Sequence, residues 1–372
     1  MSAKRCPRCL GFDVKKKGFV RSGLHTERGV SARKLQRYVC KQCNKNFTFE
    51  VQNKRRRYSR GFVSSSVRRY LEDHASLRAV ANNVGVSERG LLNWVMEYGK
   101  NSKSPLEVAV ELKPKWSGLL GVDGKELKIK GKDATLLIAQ DILTFDPVCF
   151  ALADKENVEG SEKFFLTIRD VLQFPTKGIV SDLGRGRAFI SVIDAIFPGI
   201  PHQACIVHFS RYVNRTVPRS KKSAYYQHNS ILRGAIHSIL FADQFNDAEE
   251  IFHRLLLARD QFTTPYHKTI IKSLERHFDL LTAHFHNPFL VRDNNIIENL
   301  IRQLNKKIKQ SDGFKTTENT YNFLKLWFIY YRFKPFVNSR ESFRNGKAPL
   351  QIAGVNLPGP DWLAFSQKRR PT

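Results

Sequence analysis

Three separated acidic residues are the side chains in this sequence best suited to catalysis. Asp123 lies in residues 118–124, GLLGVDG, and Asp182 in residues 177–186, KGIVSDLGRG. Each follows a short apolar run that predicts a buried strand. Glu298 lies far downstream in a helical segment, NNIIENLIRQLNKKIK. Carboxylates on rigid elements can hold divalent cations, which serve phosphodiester cleavage, so in a very basic chain they predict metal-dependent chemistry on nucleic acid.

Each of these acids also has an ordinary structural explanation. Asp182 could cap a helix or form a turn, and Glu298 could pair with Arg302 one helical turn later. Several other acids near the predicted strands compete for ligand roles, the nearest being Asp141 and Glu126. The further competitors are Asp133, Asp146, Asp154, Glu156 and Glu159. The assignment therefore depends on chain order, strand-end placement and basic charge taken together.

The size and charge of the chain agree with a nucleic-acid partner. Its 372 residues include 62 Lys and Arg against 34 Asp and Glu, a formal net charge of +28. Such an excess favours a polyanion, because each neutralised phosphate releases counterions. The sequence contains no apolar run long enough to cross a membrane and no apolar signal-peptide core at its start. We therefore expect a cytoplasmic protein without a membrane partner, associated with the nucleoid if the host is a prokaryote.

Four of the six cysteines form two C-x-x-C pairs near the N-terminus. The pairs are Cys6 with Cys9 and Cys40 with Cys43. Two such knuckles can complete a tetrahedral four-thiolate site, so the spacing predicts a structural Zn²⁺. We expect residues 1–53 to form a zinc ribbon that contacts DNA backbone through its basic residues.

Residues 76–99, SLRAVANNVGVSERGLLNWVMEYG, have the spacing of a helix-turn-helix. Gly85 permits a left-handed turn, and Ser87 is placed to cap the second helix. Arg89 and Asn93 are expected to face outward, where a DNA-reading helix would contact the major groove. The residues expected to face inward are Leu77, Val80, Ala81, Leu91, Leu92 and Val95. An ordinary helical hairpin is the alternative interpretation.

The central part of the chain predicts an α/β domain. Three strand patterns are followed by a helix, a fourth strand, a second helix and a fifth strand. This is the order of an RNase H-like mixed sheet. An all-helical insertion follows, and the front of the chain carries the small zinc ribbon and the helical helix-turn-helix domain. The predicted divisions are 1–53 zinc ribbon, 54–101 helix-turn-helix, 115–208 first part of the core, 209–287 helical insertion, 288–338 closing helices and 339–372 a loosely ordered basic tail.

Residues 115–337 resemble the DDE transposases of insertion sequences, most closely the Mutator-like group. The resemblance rests on the three acids, on the C-x-x-H motif formed by Cys205 and His208, and on the asparagine-rich approach NNIIE to Glu298. The run GFKTTENTYNFLKLWFIYYRF, residues 313–333, resembles the sequence that follows the Glu in that group.

The resemblance implies a site and a reaction. Asp123 would bridge two Mg²⁺ (or Mn²⁺) ions, while Asp182 and Glu298 would each hold one. The protein would bind the terminal repeats of its element, cleave a strand, and join the liberated 3′-OH to target DNA, with no covalent protein intermediate. A homo-oligomer is implied as well, because two ends must be held together.

Basic residues near the acids are candidates for phosphate contacts. They are Arg185 and Arg187 beside Asp182, and Arg302 and Lys306 after Glu298. Cys205 and His208 could be half of a zinc site, but no second pair is evident in the sequence, and we prefer a structural or DNA-positioning role.

Three other functions remain open on the sequence. A DNA-binding regulator derived from a transposase would share the charge and the front end but lack activity. A plain RNase H-fold nuclease or resolvase would cleave without strand transfer. The box His208 to Arg211 also matches the H-x-x-R of tyrosine recombinases, with Tyr225 or Tyr226 as nucleophile, but this leaves the acids unexplained.

Overall fold

The computed structural model describes residues 5–48, 57–73, 75–153, 158–183, 188–310, 313–357, 359 and 361–368. The chain divides into two units, Met1–Val95 and Met96–Thr372. The predicted phosphate contacts Arg185 and Arg187 lie outside the described residues, as do the competing acids Asp154 and Glu156. None of the described helices combines the length and apolarity that crossing a bilayer requires.

A long antiparallel hairpin fills the interval between the two cysteine knuckles. Strand β1 (Val14–Thr26) pairs with β2 (Gly29–Cys40), and β3 (Asn46–Thr48) extends the sheet beside β2. Tyr38 and Phe47 are cross-strand partners whose rings stack 6.1 Å apart, and both are buried at the cysteine end of the sheet. This apolar cluster is small, so the module needs an additional cross-link to be stable.

Three helices complete the first unit, namely α1 (Arg60–Glu72), α2 (Leu77–Val84) and α3 (Glu88–Lys100). The Ser76 hydroxyl accepts the backbone N–H of the first turn of α2 and so caps it. Gly85 takes the predicted left-handed conformation, with φ of 70°, between α2 and α3. This conformation ends α2 and turns the chain into α3.

The buried face of α3 differs from the prediction at one residue. Leu91 and Val95, four positions apart on one helical face, are buried as predicted. Leu92 is 39% exposed, so the prediction that it is buried was wrong. The reason is that one residue turns the helix by about 100°, which carries Leu92 away from the buried face. Arg89 and Asn93 are exposed, as predicted.

A five-stranded mixed sheet forms the centre of the second unit. Its first three strands are β4 (Leu119–Ile129), β5 (Lys132–Asp141) and β6 (Pro147–Ala153). Strand β5 pairs antiparallel with both β4 and β6. Strands β7 (Gly178–Ser181) and β8 (His202–Ala204) run parallel to β4. The spatial order is β6-β5-β4-β7-β8, so β4 has a neighbour on each side.

Helices lie before and between the strands of this sheet. Helix α4 (Pro105–Leu112) precedes β4, and its first turn is closed by a capping box between Ser104 and Glu107. Helix α5 (Val158–Leu166) continues into a π-helical turn before β7, and α6 (Ala188–Ile196) connects β7 to β8. These connections provide the crossovers that parallel strands need.

The two faces of β4 bury different side chains. Leu120 and Val122 pack in an apolar cluster that includes Phe165 of α5. Leu119 belongs to a second cluster with Leu290, which precedes the last long helices. Because side chains alternate along a strand, the odd-numbered residues of β4 face this second side.

The rest of the chain is mostly helical. Its elements are α7 (Ile206–Thr216), α8 (Tyr226–Leu240), α9 (Phe245–Leu257), α10 (Pro265–His286), α11 (Asn295–Lys309), α12 (Thr317–Phe333), α13 (Pro349–Ile352) and α14 (Trp362–Ser366). Helices α7 to α10 share one apolar cluster. The Gln203 side chain of β8 accepts the backbone N–H of His284, 2.8 Å away, and this contact fixes α10 against the edge of the sheet.

The segment predicted to be a loosely ordered tail, residues 339–372, contains packed helices in its described part. Leu350 of α13 and Trp362 of α14 are buried. The Trp362 ring lies 5.4 Å from that of Tyr330 on α12. The prediction of loose order was therefore wrong for these residues, because glycines and prolines separate short helices whose apolar side chains still pack on α12.

Candidate functional site

Strand β4 positions Asp123 close to the centre of the sheet. The carboxylate is 7% exposed, and its Oδ1 accepts the backbone N–H of Gly124 at 2.7 Å. As an odd-numbered residue of β4, Asp123 lies on the face opposite the α5 and α6 cluster.

Strand β7 delivers Asp182 to the same face. Val122 of β4 pairs with Ser181, the last residue of β7, so each aspartate comes directly after one member of this pair. Neighbouring strands are about 4.8 Å apart. Because side chains alternate along each strand and Val122 is paired with Ser181, the two following aspartates point to the same side of the sheet. The Ser181 hydroxyl donates to the backbone carbonyl of Asp182 at 2.7 Å and lies 2.8 Å from Nε2 of His202. The backbone at Asp182 is thus held from within the core.

Helix α11 brings Glu298 to the two aspartates through Asn294. Asn294 precedes the helix and is 1% exposed. Its Nδ2 donates to the carbonyl of Val122 at 2.8 Å, one residue before Asp123. A Cβ at Gly121 would lie 3.1 Å from Asn294 Oδ1, so the small residue at this position permits the close approach of α11. Glu298 lies in the first turn of α11, where the helix dipole favours a negative charge.

The three acids line one cleft of about 500 Å³. The predicted phosphate contacts Arg302 and Lys306 line it too, as successive basic residues of α11. The other lining residues are Gly124, Lys125, His208, Arg211, Ile301, Asn305 and Lys309. Carboxylates therefore occupy one part of the cleft and cations the rest, an arrangement suited to a metal-bound phosphodiester. The other predicted DNA contacts, Arg89 and Asn93, belong to the first unit.

Arg211 of α7 neutralises Glu298. Its Nη1 donates to Oε1 at 2.8 Å and to Oε2 at 3.0 Å. His208 is near as well, with Nε2 3.5 Å from Glu298 Oε1. Burial lowers the pKa of His208, Glu298 opposes that effect, and Arg211 and Arg215 add to it. The imidazole is therefore neutral near pH 7, and Arg211 supplies the positive charge beside Glu298.

Cys205 acts on the cleft through Asn294. Its buried sulfur accepts the backbone N–H of Asn294 at 3.3 Å, and burial raises the pKa of this thiol to about 11. Ligand atoms of Cys205, His208 and Glu298 all lie within 4.8 Å of one another. The hydrogen bond to Asn294 places Cys205 against the residue that joins α11 to β4.

The competing acids in the described chain do not line this cleft. Asp141 is fully buried and accepts hydrogen bonds from Ser117 and Thr144, which makes it a turn-forming residue. Asp146 forms a buried ion pair with Arg332. Asp133 and Glu159 form exposed ion pairs with Lys128 and Lys163, and Glu126 is exposed on β4.

The four N-terminal cysteines form a second cluster. All four sulfur atoms lie within 4.8 Å of one another, with Cys6 3.5 Å from Cys43 and Cys9 3.5 Å from Cys40. Tetrahedral zinc with Zn–S bonds of about 2.3 Å requires sulfur atoms about 3.8 Å apart. The cluster therefore has the dimensions of a metal site.

Two residues important for the site were not identified from sequence: Arg211, which lines the cleft, and Asn294, which joins α11 to β4. Arg211 was considered only as part of the H-x-x-R box, and Asn294 only as part of an asparagine-rich motif. Helical spacing could have indicated Arg211, because it lies three residues after His208 and therefore on the same face of α7. The sequence does not distinguish Asn294 from Asn295. The two differ in the structure, where Asn294 makes the buried contact with β4.

Two family models match segments of this chain. A family model described as Transposase, Mutator family, matches residues 148–317, which include Asp182 and Glu298. This segment is therefore similar to the Mutator family of transposases. A helix-turn-helix family model, described as Transposase, matches residues 52–119. Asp123 lies between the two matched segments.

One known protein is similar to most of this chain. The chain is 22% identical over 344 residues to the Insertion element ISM1 uncharacterized 48.3 kDa protein of Methanobrevibacter smithii. The aligned region covers 86% of this chain and 80% of the relative.

Proposed function

We propose that the chain is the DNA transposase of an insertion element and that Asp123, Asp182 and Glu298 are its catalytic acids. The observation that carries the proposal is that these acids, far apart in sequence, line one cleft together with cations of α11. The match to a transposase family model supports DNA transposase activity, and the relative described as an insertion-element protein supports an element of that class. The strand order β6-β5-β4-β7-β8 supports an RNase H-like core.

The donor atoms of the cleft fit divalent cations. Mg²⁺ takes hard oxygen ligands and keeps water in much of its shell, so three carboxylates suffice for two Mg²⁺ or Mn²⁺ ions. When bound, such ions supply an activated water and stabilise the leaving oxygen. Asp123, Asp182 and Glu298 would together hold these ions. At the N-terminal cluster, thiolate donors suit a structural Zn²⁺ instead.

The chain's own residues position the substrate and the acids. Arg302 and Lys306 would hold phosphates of the strand being cut, in line with the attacking oxygen. Asn294 fixes the start of α11 to β4, so Glu298 stays beside Asp123. In the first step water attacks phosphorus and the 3′-oxygen leaves with a proton. In the second step the 3′-OH attacks a target phosphodiester and displaces the target's own 3′-oxygen.

The first unit would recognise the element ends. The exposed Arg89 and Asn93 of α3 suit the major groove, with the four-cysteine module contacting nearby backbone. Arg185 and Arg187 would bind phosphate beside Asp182. The divisions at 53, 101, 208, 287 and 338 are retained as proposed domain boundaries, and a homo-oligomer would hold two ends together.

The test is cleavage of DNA that carries the ends of the element encoding this chain. With Mg²⁺ the purified protein should cut at the element ends and join them to a second duplex. Asp182→Ala should abolish cleavage and retain binding, whereas Asp133→Ala, an exposed acid, should cleave normally. Normal cleavage by Asp182→Ala would refute the assignment. Cleavage without joined products would indicate a nuclease, and binding alone a regulator.

A further inference from the structure

The β1–β2 hairpin has one solvent-exposed face with an unusual composition. In the strand register Phe19 is opposite Gln36, Arg21 opposite Lys34, and Gly23 opposite Ala32. Directly opposed residues share a face, so these residues lie on one side, the ribbon face, together with the opposed pair His25 and Val30. All of them are exposed except His25 and Gln36, which are half-buried. The His25 ring lies 5.1 Å from that of Tyr58.

Charges on the ribbon face repel one another. Arg21 and Lys34 are a directly opposed like-charged pair, which destabilises an isolated hairpin. The Lys34 ammonium lies 4.4 Å from the centroid of the Phe19 ring, so it stays over the face. Glu27, the acidic residue of the hairpin, lies beyond the end of β1. An anionic partner placed across Arg21 and Lys34 would remove this repulsion.

The shape of the ribbon face suits a groove. Gly23 and Ala32 carry no bulky side chain next to the cationic pair, and the space over Gly23 is bounded by the Val30 side chain. A two-stranded antiparallel ribbon has the width that the major groove of B-form DNA admits.

We propose that the ribbon face is a second DNA-binding surface, inserted into the major groove, with Arg21 and Lys34 contacting phosphates on its rim. The proposal rests on the proposed function for the identity of the partner, which is the duplex of the element ends. It assigns to the hairpin a groove contact that the cysteine cluster alone does not require. Double-stranded RNA is a useful contrast, because its deep and narrow major groove excludes such a ribbon.

The test measures binding of the full chain to an element-end duplex by fluorescence anisotropy at several salt concentrations. Arg21→Gln/Lys34→Gln should reduce the slope of log affinity against log salt by about 1.8, since each lost phosphate contact removes about 0.9. Ala32→Gln, which adds bulk without charge, should weaken binding at every salt concentration and leave the slope unchanged. Lys268→Gln/Lys272→Gln is the matched control, because both residues are exposed on α10 and belong to neither the hairpin nor the cleft. Zinc content and circular dichroism verify that each variant is folded.

Several outcomes would overturn the proposal. An unchanged slope for Arg21→Gln/Lys34→Gln, or an equal reduction in the control, would exclude a specific role for the pair. Full affinity of Ala32→Gln, or equal binding and an equal slope change on double-stranded RNA, would exclude major-groove insertion. If the unaltered chain cleaves element ends while these results hold, the inference fails and the proposed function stands. If the unaltered chain binds no duplex, both fail.

Discussion

The hydrogen bond of Asn294 to β4 should be required for a normal cleavage rate, whereas the neighbouring Asn295 should not be required. Asn294 is 1% exposed and donates to the Val122 carbonyl, whereas Asn295 is exposed. Asn294→Ala leaves a buried carbonyl without this donor, a loss of about 1–3 kcal/mol in the free energy of unfolding. It also frees the start of α11, and a displacement of Glu298 by about 1 Å would slow cleavage about 100-fold.

The assay compares two quantities across a set of variants. Urea unfolding followed by circular dichroism gives the free energy, and single-turnover cleavage with Mg²⁺ gives the rate. Asn294→Asp keeps the size of the side chain but lacks the amide donor, so it should lose as much activity as Asn294→Ala. Asn295→Ala should match the unaltered protein in both assays. Equal behaviour of the Asn294→Ala and Asn295→Ala variants would refute the reasoning.

Further predictions concern stability and the metal module. Arg332→Met should destabilise the chain by about 3–5 kcal/mol in urea unfolding, because it leaves the fully buried Asp146 carboxylate without its ion-pair partner; a loss below 1 kcal/mol would contradict this. Burial lowers the pKa of His202 from 6.5 to about 4, so the unfolded chain binds the proton first as the pH falls. The resulting stability is complete above pH 6.5 and is lost toward pH 4, up to about 3 kcal/mol, and His202→Phe should flatten the measured pH dependence between pH 7 and 5. Chelation of zinc, or Cys40→Ser, should unfold the cysteine module and weaken duplex binding in anisotropy, with recovery on adding Zn²⁺ to the chelated protein only.

Local patterns were sufficient to predict the elements but not all of their contacts. The turn at Gly85 and the strands around Asp123 and Asp182 could be predicted, because a turn glycine and a run of apolar residues are visible in the local sequence. The exposure of Leu92 and the packing of Trp362 on α12 depend on which neighbour covers each face. Such tertiary contacts leave no local pattern.

The arrangement of the cleft shows the same limit. Asp123 and Asp182 could be predicted to lie together, because Asp123 lies within one strand of a parallel pair and Asp182 directly after the other. The approach of Glu298 depends on the buried amide of Asn294 and on the small residue Gly121, separated from it by the whole helical insertion. The pairing of Arg211 with Glu298 likewise joins two helices that are distant in sequence.

The most direct measurement of the central claim is the rate of Mg²⁺-dependent cleavage for single and combined acid variants on element-end DNA. Asp123→Asn, Asp182→Asn and Glu298→Gln should each reduce cleavage to the same residual level as the triple variant, because residues that act as one unit are not additive. Glu126→Gln, on the same strand as Asp123 but outside the cleft, should cleave at the normal rate. A single acid variant that retained normal cleavage, or losses that added up across the three acids, would contradict a shared catalytic site.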